Sequence, residues 1–204
     1  SDYTATFALM AIPAVAFTAV AMLVRNSTYG IQTSIYVTYS LDAGLTATKI
    51  GLLFSAIEMA GAVGSWYSGR IMRRFDPIRV LVVTTFITVS LVTATPLLGG
   101  LGSTTWTIFG FLLAGQMFRG MTQGISQPIL FSVQALSVTK DQQGTVVGLR
   151  QTMNRFGGII IPPIAGYATD FYGQDEAFFI VGGGLLILLL ALAIYARSVP
   201  RIAT

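Results

Sequence analysis

Arg119-Gly-Met-Thr-Gln-Gly-Ile-Ser-Gln127 sets an arginine and two glutamines in the middle of a long apolar segment. The phrase has one earlier counterpart, Arg25-Asn-Ser-Thr-Tyr-Gly-Ile-Gln32, so R-x-x-T-x-G-I appears twice, each time deep inside a hydrophobic run. The chain therefore reads as two related halves, about 1–100 and 101–204, within a single unit spanning 1–204.

Of the 204 residues, 53% are hydrophobic and only 10% are charged, against roughly 25% charged in an ordinary soluble domain. Val80 to Leu98 and Ala177 to Ala196 carry no charge at all. Each comes near the roughly 20 residues that cross about 30 Å of hydrocarbon as a helix. Nothing alternates with the period of a barrel strand, and backbone groups in lipid must be satisfied within a helix or a closed barrel. The expected fold class is all-α, a polytopic membrane protein whose first partner is the lipid bilayer. There is no cysteine and no histidine, which removes disulfides, thiolate chemistry and imidazole metal ligands. No cofactor, no metal site and no catalytic residue is expected. The net charge of +4 sits in short turns between apolar segments rather than in a soluble patch, so nucleic acid is not an expected partner. The opening Ser1-Asp-Tyr-Thr4 lacks the basic stretch of a cleavable signal peptide.

Helix 1 is expected from about Phe7 to about Leu41, kinked at Pro13. Its residues Arg25, Tyr29, Gln32 and Tyr36 recur at spacings of four, three and four, one helical face. Helix 2, about 47–71 with Thr46 as N-cap, carries Glu58 near its centre and Gly61 and Gly64 for close helix contact. Helix 3, about 78–99, is apolar apart from its hydroxyls, and Gly99 to Thr104 reads as a flexible hinge. Helix 4, about 105–136, carries Gln116, Arg119, Gln123, Gln127 and Gln134 as a second stripe and is expected to bend at Pro128. A capping box over Thr139 to Gln142 opens helix 5, which holds Arg150, Asn154 and Arg155 before a break at Pro162-Pro163. Helix 6, about 176–196, is again nearly pure hydrocarbon.

The order is striped, polar, apolar, then striped, polar, apolar. Two triplets of helices repeat, and with three helices apiece the second must cross the membrane in the opposite sense. The result is six transmembrane helices as a 3+3 inverted repeat, an organisation secondary transporters use. Arg70, Arg73, Arg74, Arg79, Lys140, Arg197 and Arg201 fall on one side in this scheme and only Lys49 near the other. The positive-inside rule then puts both termini in the cytoplasm.

These residues resemble the major facilitator superfamily over essentially the whole chain. Gly69 and Arg74 match its G-x-x-x-D-R-x-G-R-R turn, while Arg73 stands where the acid should be and Asp76 where the second glycine should be. Gly166, Asp170 and Gly173 keep the same skeleton after helix 5. Gly148-Leu-Arg-Gln-Thr-Met-Asn-Arg155, followed by Pro163, looks like the eleventh helix of bacterial members, and Gly124-Ile-Ser-Gln-Pro128 like their tenth. The resemblance implies the C-terminal bundle, helices seven to twelve, of an alternating-access transporter in a bacterial cytoplasmic membrane. It implies a gating role for the loop residues Gly69, Arg73, Arg74 and Asp170. It also implies a partner, a second six-helix bundle supplied by the same polypeptide, a homodimer mate or another subunit.

A charge near the bilayer centre costs at least about 2.5 kcal/mol on insertion scales, so each one needs a reason. Arg25, Arg119, Arg150 and Arg155 lie within helices against one acid, Glu58. Surplus positive charge suits an anionic solute, because guanidinium groups bind carboxylate or phosphate bidentately. The expected substrate cavity comprises Arg25, Tyr29, Gln32, Tyr36, Arg119, Gln123, Gln127 and Asn154. Glu58, Arg150 and Arg155 are candidates for ion coupling or for a salt bridge, with the salt bridge favoured for Glu58. A multidrug-type proton antiporter and a non-transporting assembly subunit are the alternatives to the transport of a small solute. Without His or Cys, and with its acids scattered among loops, the chain shows no enzyme constellation.

Overall fold

The computed structural model describes residues 8–198. The expected helix start at Phe7 and the orienting charge of Arg201 lie outside the described residues. Every regular element among the described residues is helical. A 3-10 turn, Leu9–Ala11, leads into α1 (Pro13–Thr33) and α2 (Ile35–Asp42). Then come α3 (Ala47–Met72), α4 (Pro77–Thr93), α5 (Thr95–Gly100) and α6 (Thr105–Leu136). A second 3-10 turn, Lys140–Gln142, precedes α7 (Gln143–Tyr172) and α8 (Gln174–Tyr195). Two of these, α3 and α8, are long and apolar enough to cross a membrane by length and composition, and α4 is apolar but shorter at 17 residues.

Four expectations about breaks need correction. Pro13 does not kink the first helix but opens it, at the first helical position where its missing N–H costs nothing. The break falls instead at Ser34, whose φ of −109° and ψ of −98° leave the helical region. Hydroxyls supply the cause: Ser34 Oγ donates to the Gly30 carbonyl at 2.6 Å and Thr33 Oγ1 to that of Tyr29 at 3.1 Å, back-bonds of the kind that bend helices. The third apolar helix is likewise interrupted, at Ala94, because Pro96 has no N–H to continue it. Pro128, Pro162 and Pro163 all lie inside helices that run on without interruption, so Pro162-Pro163 is no break. The expected hinge at Gly99 is not free either: Gly99 and Gly100 belong to α5, and a Cβ at Gly99 would meet the Tyr39 ring, whose hydroxyl donates to the Pro96 carbonyl at 3.4 Å.

The caps follow the sequence. Thr46 Oγ1 accepts from the Lys49 amide at 3.4 Å, and Gln142 Oε1 accepts from the Thr139 amide at 3.4 Å in the capping box ahead of α7.

Packing is dominated by two helix pairs, α3 on α6 and α1 on α7. Small residues make both possible. In the first pair a Cβ on Gly124 would stand on the backbone carbonyl of Gly61, one on Gly120 on that of Ile57, and one on Gly64 on that of Met121. In the second, a Cβ on Gly30 would lie 2.8 Å from Ile161 Cβ, and one on Gly157 2.9 Å from the Ser27 amide. Backbones this close replace the hydrophobic drive that lipid cannot supply. Gly30 and Gly124 are the equivalent glycines of the two R-x-x-T-x-G-I phrases. Each seats its helix on the polar helix of the other half. Gly144 and Gly148, also at a G-x-x-x-G spacing, have open space beside them and pack against nothing.

Candidate functional site

The two repeated arginines brace the halves reciprocally. From α1, Arg25 donates through Nη2 to Gln127 Oε1 on α6 at 2.9 Å. From α6, Arg119 donates through Nη2 to the Thr28 carbonyl at 3.1 Å and the Thr28 hydroxyl at 3.3 Å, on α1. Thr28 and Thr122 are the threonines of the two phrases. Thr122 meets Thr88 of α4 at 2.8 Å, while Thr28 bonds to the Arg25 carbonyl of its own helix at 2.6 Å.

Between α1, α3, α6 and α7 lies a cleft of about 480 Å³, within the usual size range of small-molecule sites. From α1 come Arg25, Asn26, Tyr29 and Gln32; from α3, Glu58 and Ser65; from α6, Gln123 and Gln127; and from α7, Asn154. Its floor is the glycine seam of Gly61, Gly120 and Gly124. Absent side chains there let the facing backbones close the floor, with helix carbonyls beside it. Ser65 Oγ already bonds one of them, that of Gly124, at 3.0 Å.

Six of the eight expected cavity residues line this cleft, and two do not. Tyr36 lies on α2, past the Ser34 break, where its ring is buried 6.4 Å from Phe54. Arg119 is 1% exposed, inside the bundle, where Gln116 Oε1 also accepts from its Nη1 at 3.2 Å. Both departures have a geometric reason. The cleft occupies only the stretch of α6 around Gly120 to Gln127, so at about 1.5 Å per residue Gln116 lies about 6 Å beyond one end of it and Gln134 about 10 Å beyond the other. Arg119, at the edge of the polar arc, turns inward toward α1. A void of about 10 Å³ touches Arg119, Tyr36, Gln116 and Thr95, room for about one water.

The coupling candidates separate as well. Glu58 faces the cleft, exposed, and makes no hydrogen bond or ion pair among the described residues. The favoured salt bridge is not formed among the described residues; Arg25 instead donates from one amino group to Gln127. Arg150 lies over the Phe131 ring at 4.2 Å, away from the cleft, a cation–π seat of ordinary geometry. Arg155 is exposed outside the cleft. Gly69, Arg73 and Arg74 are exposed at the end of α3, where Arg70, Arg73 and Arg74 flank Phe75, and Asp170 is exposed at the end of α7. Helix alternation puts Asp170 at the opposite end of the bundle from those arginines. Sequence reasoning missed Asn26 and Ser65, although Asn26 precedes Tyr29 by three and so stands beside the stripe it followed.

A helical bundle with paired polar stripes and a glycine seam has a match among known families. Residues 14–204 match the Major Facilitator Superfamily. The chain belongs to this superfamily. It is therefore read as an integral membrane protein of a transport family rather than an enzyme. A probable sulfoacetate transporter of Cupriavidus necator is 27% identical over 159 residues, 78% of this chain and 35% of that protein. A probable galactarate/D-glucarate transporter of Escherichia coli is 28% identical over 179 residues, 84% of this chain and 39% of that protein. The human voltage-gated purine nucleotide uniporter is 22% identical over 178 residues, 80% and 40%. The chain thus spans less than half the length of these relatives.

Proposed function

We propose that this chain is one six-helix bundle of a secondary transporter, folded as a 3+3 inverted repeat, that moves a small organic anion by alternating access. The observation that carries the reading is Arg25, one of whose amino groups is held by Gln127 while the side chain walls a solute-sized cleft otherwise lined by neutral hydrogen-bonding groups and one acid. A guanidinium fixed on one side presents its remaining donors to a carboxylate, sulfonate or phosphate. Sulfoacetate, galactarate, glucarate and purine nucleotides, the solutes in the relatives' names, are all anions. The reciprocal seating of Gly30 and Gly124 supports the repeat, because two units related by a two-fold axis exchange the same contact.

The cleft closes against a second six-helix bundle. Met59 and Trp66 on α3 and Phe118 and Met121 on α6 are exposed around it, an apolar rim suited to such a mate. The intact mass of the polypeptide extracted from its membrane identifies the mate. A mass near twice 21.8 kDa puts it in the same chain, and 21.8 kDa makes it a separate subunit. The basic end, with Arg70, Arg73, Arg74, Arg79, Lys140 and Arg197, faces the cytoplasm of a bacterial cell, and the exposed turn at Gly69, Arg73 and Arg74 acts in gating there.

The test is uptake into proteoliposomes containing the protein extracted from its membrane, against a panel of sulfonates, aldarates and nucleotides, with neutral sugars and cations beside them. Saturable uptake of one anion class, inhibited by its neighbours, is expected. Uptake confined to neutral or cationic amphipaths would make the multidrug reading correct instead. Glu58, unpaired in the cleft, is the proposed proton carrier. Glu58→Gln is then expected to abolish accumulation driven by a pH gradient while leaving exchange of labelled for unlabelled solute within about twofold of normal. Unchanged gradient-driven uptake would remove Glu58 from that role.

A further inference from the structure

At the basic end of the bundle, the start of α4 and the end of α8 enclose a groove of about 540 Å³. Arg79 and Arg197 stand over it, and Ile78, Val82, Val83 and Ala193 form its apolar wall. We propose that this groove holds an anionic phospholipid, its phosphate between the two guanidinium groups and an acyl chain along the apolar wall. The inference is independent of which solute the cleft carries.

Four features point to a lipid. First, α4 begins and α8 ends at this level, so the two arginines line one groove though more than a hundred residues apart in sequence. Second, Val83 follows Arg79 by four residues on α4, so this apolar residue shares a face with the arginine one turn deeper, while Arg197 stands in the 3-10 turn Ala196–Ser198 that follows α8, and Ala193 of the last turn of α8 lines the same groove. One turn is about 5.4 Å, which suits the step from a lipid phosphate to the start of its acyl chains. Third, neither guanidinium has a hydrogen bond or ion pair among the described residues. Asp76, the acid at the groove, instead caps α4, its Oδ1 accepting from the Ile78 amide at 2.9 Å and the Arg79 amide at 3.3 Å. Fourth, a soluble anion would use the arginines but would leave the exposed Val83 and the wall beneath unused. Arginines that merely snorkelled to the interface would need no common groove. Basic pockets between helices at a membrane surface are suited to lipid headgroups.

Native mass spectrometry of the detergent-purified protein tests the proposal, with phosphatidylglycerol, phosphatidylcholine and inorganic phosphate as probes. Phosphatidylglycerol is expected to be retained roughly tenfold or more over phosphatidylcholine. The double variant R79Q/R197Q is expected to lose that preference, and inorganic phosphate at equal concentration to leave bound lipid in place. Val83→Trp, which fills the groove and keeps both charges, is expected to lower phosphatidylglycerol retention too. Equal retention of the two lipids, an unchanged preference in R79Q/R197Q, or unchanged phosphatidylglycerol retention in Val83→Trp overturns the proposal. Displacement by phosphate alone would make this a soluble-anion site and overturns it as well.

Discussion

Gly124→Leu is expected to leave almost no folded protein in the membrane, while Gly148→Leu is expected to be nearly silent. Both glycines belong to G-x-x-x-G pairs and both lie in helices that carry polar residues, so composition does not separate them. Space does. A Cβ at Gly124 would stand on the Gly61 carbonyl, with the Gly61 carbonyl carbon 2.7 Å away, whereas nothing lies within 4 Å of one at Gly148. Ordinary overpacking costs about 1–3 kcal/mol because side chains can move aside. Here the obstacle is backbone within a helix, and α3 must retreat from α6 along the whole seam. A loss of several kcal/mol would take most of a stability that is only about 5–15 kcal/mol. Thermal unfolding in detergent, followed by size-exclusion chromatography, checks it. Equal midpoints for the two variants would mean that the seam is not as close as described. Gly124→Ala should fall between them.

The same comparison marks what the sequence could disclose. Arg25 and Arg119, with their threonines and glycines, form a seven-position pattern that the sequence shows twice, and each of its two glycines sits in close contact with a facing helix. Apolar runs gave the helices, and Thr46 and Thr139 gave two of their starts, since capping depends on residues within three positions. Breaks were less legible. A proline is visible in a sequence, but whether it opens a helix, as Pro13 does, or sits in one, as Pro128 and Pro162 do, depends on whether surrounding groups can accommodate the carbonyl that its missing N–H leaves free. Ser34 interrupts the first helix with no proline at all.

The cleft divides along a similar line. Helical spacing groups Arg25, Tyr29 and Gln32 on one face, and they line it together. Spacing fixes the angle of a side chain around its helix but not how far the cleft extends along it. Tyr36 shares the face and lies beyond the Ser34 break. Arg119 differs from Arg25 in neither residue type nor repeat position. Its burial follows from the third dimension, where Thr28 and Gln116 offer three oxygens to a guanidinium that has no acid beside it.

That division gives the two arginines different expected losses. Arg25→Gln removes the charge from the cleft yet leaves a side chain able to bond Gln127, so the fold is expected to survive and transport to fail. A hydrogen bond to a charged group contributes about 1.5–3 kcal/mol, so losing one from the bound solute lowers kcat/KM roughly 10- to 150-fold. Arg25→Lys keeps the charge but not the planar fork, and is expected to recover part of the activity for compact anions and less for carboxylates held bidentately. Arg119→Gln strips the cross-brace from the interior and is expected to lower the thermal midpoint first, with transport falling in proportion to folded protein. Uptake per folded molecule separates the cases. Should Arg25→Gln transport at the normal rate per folded molecule, the anion is not read by Arg25. Should Arg119→Gln fold normally and still fail to transport, the buried guanidinium acts on the solute as well as on the fold.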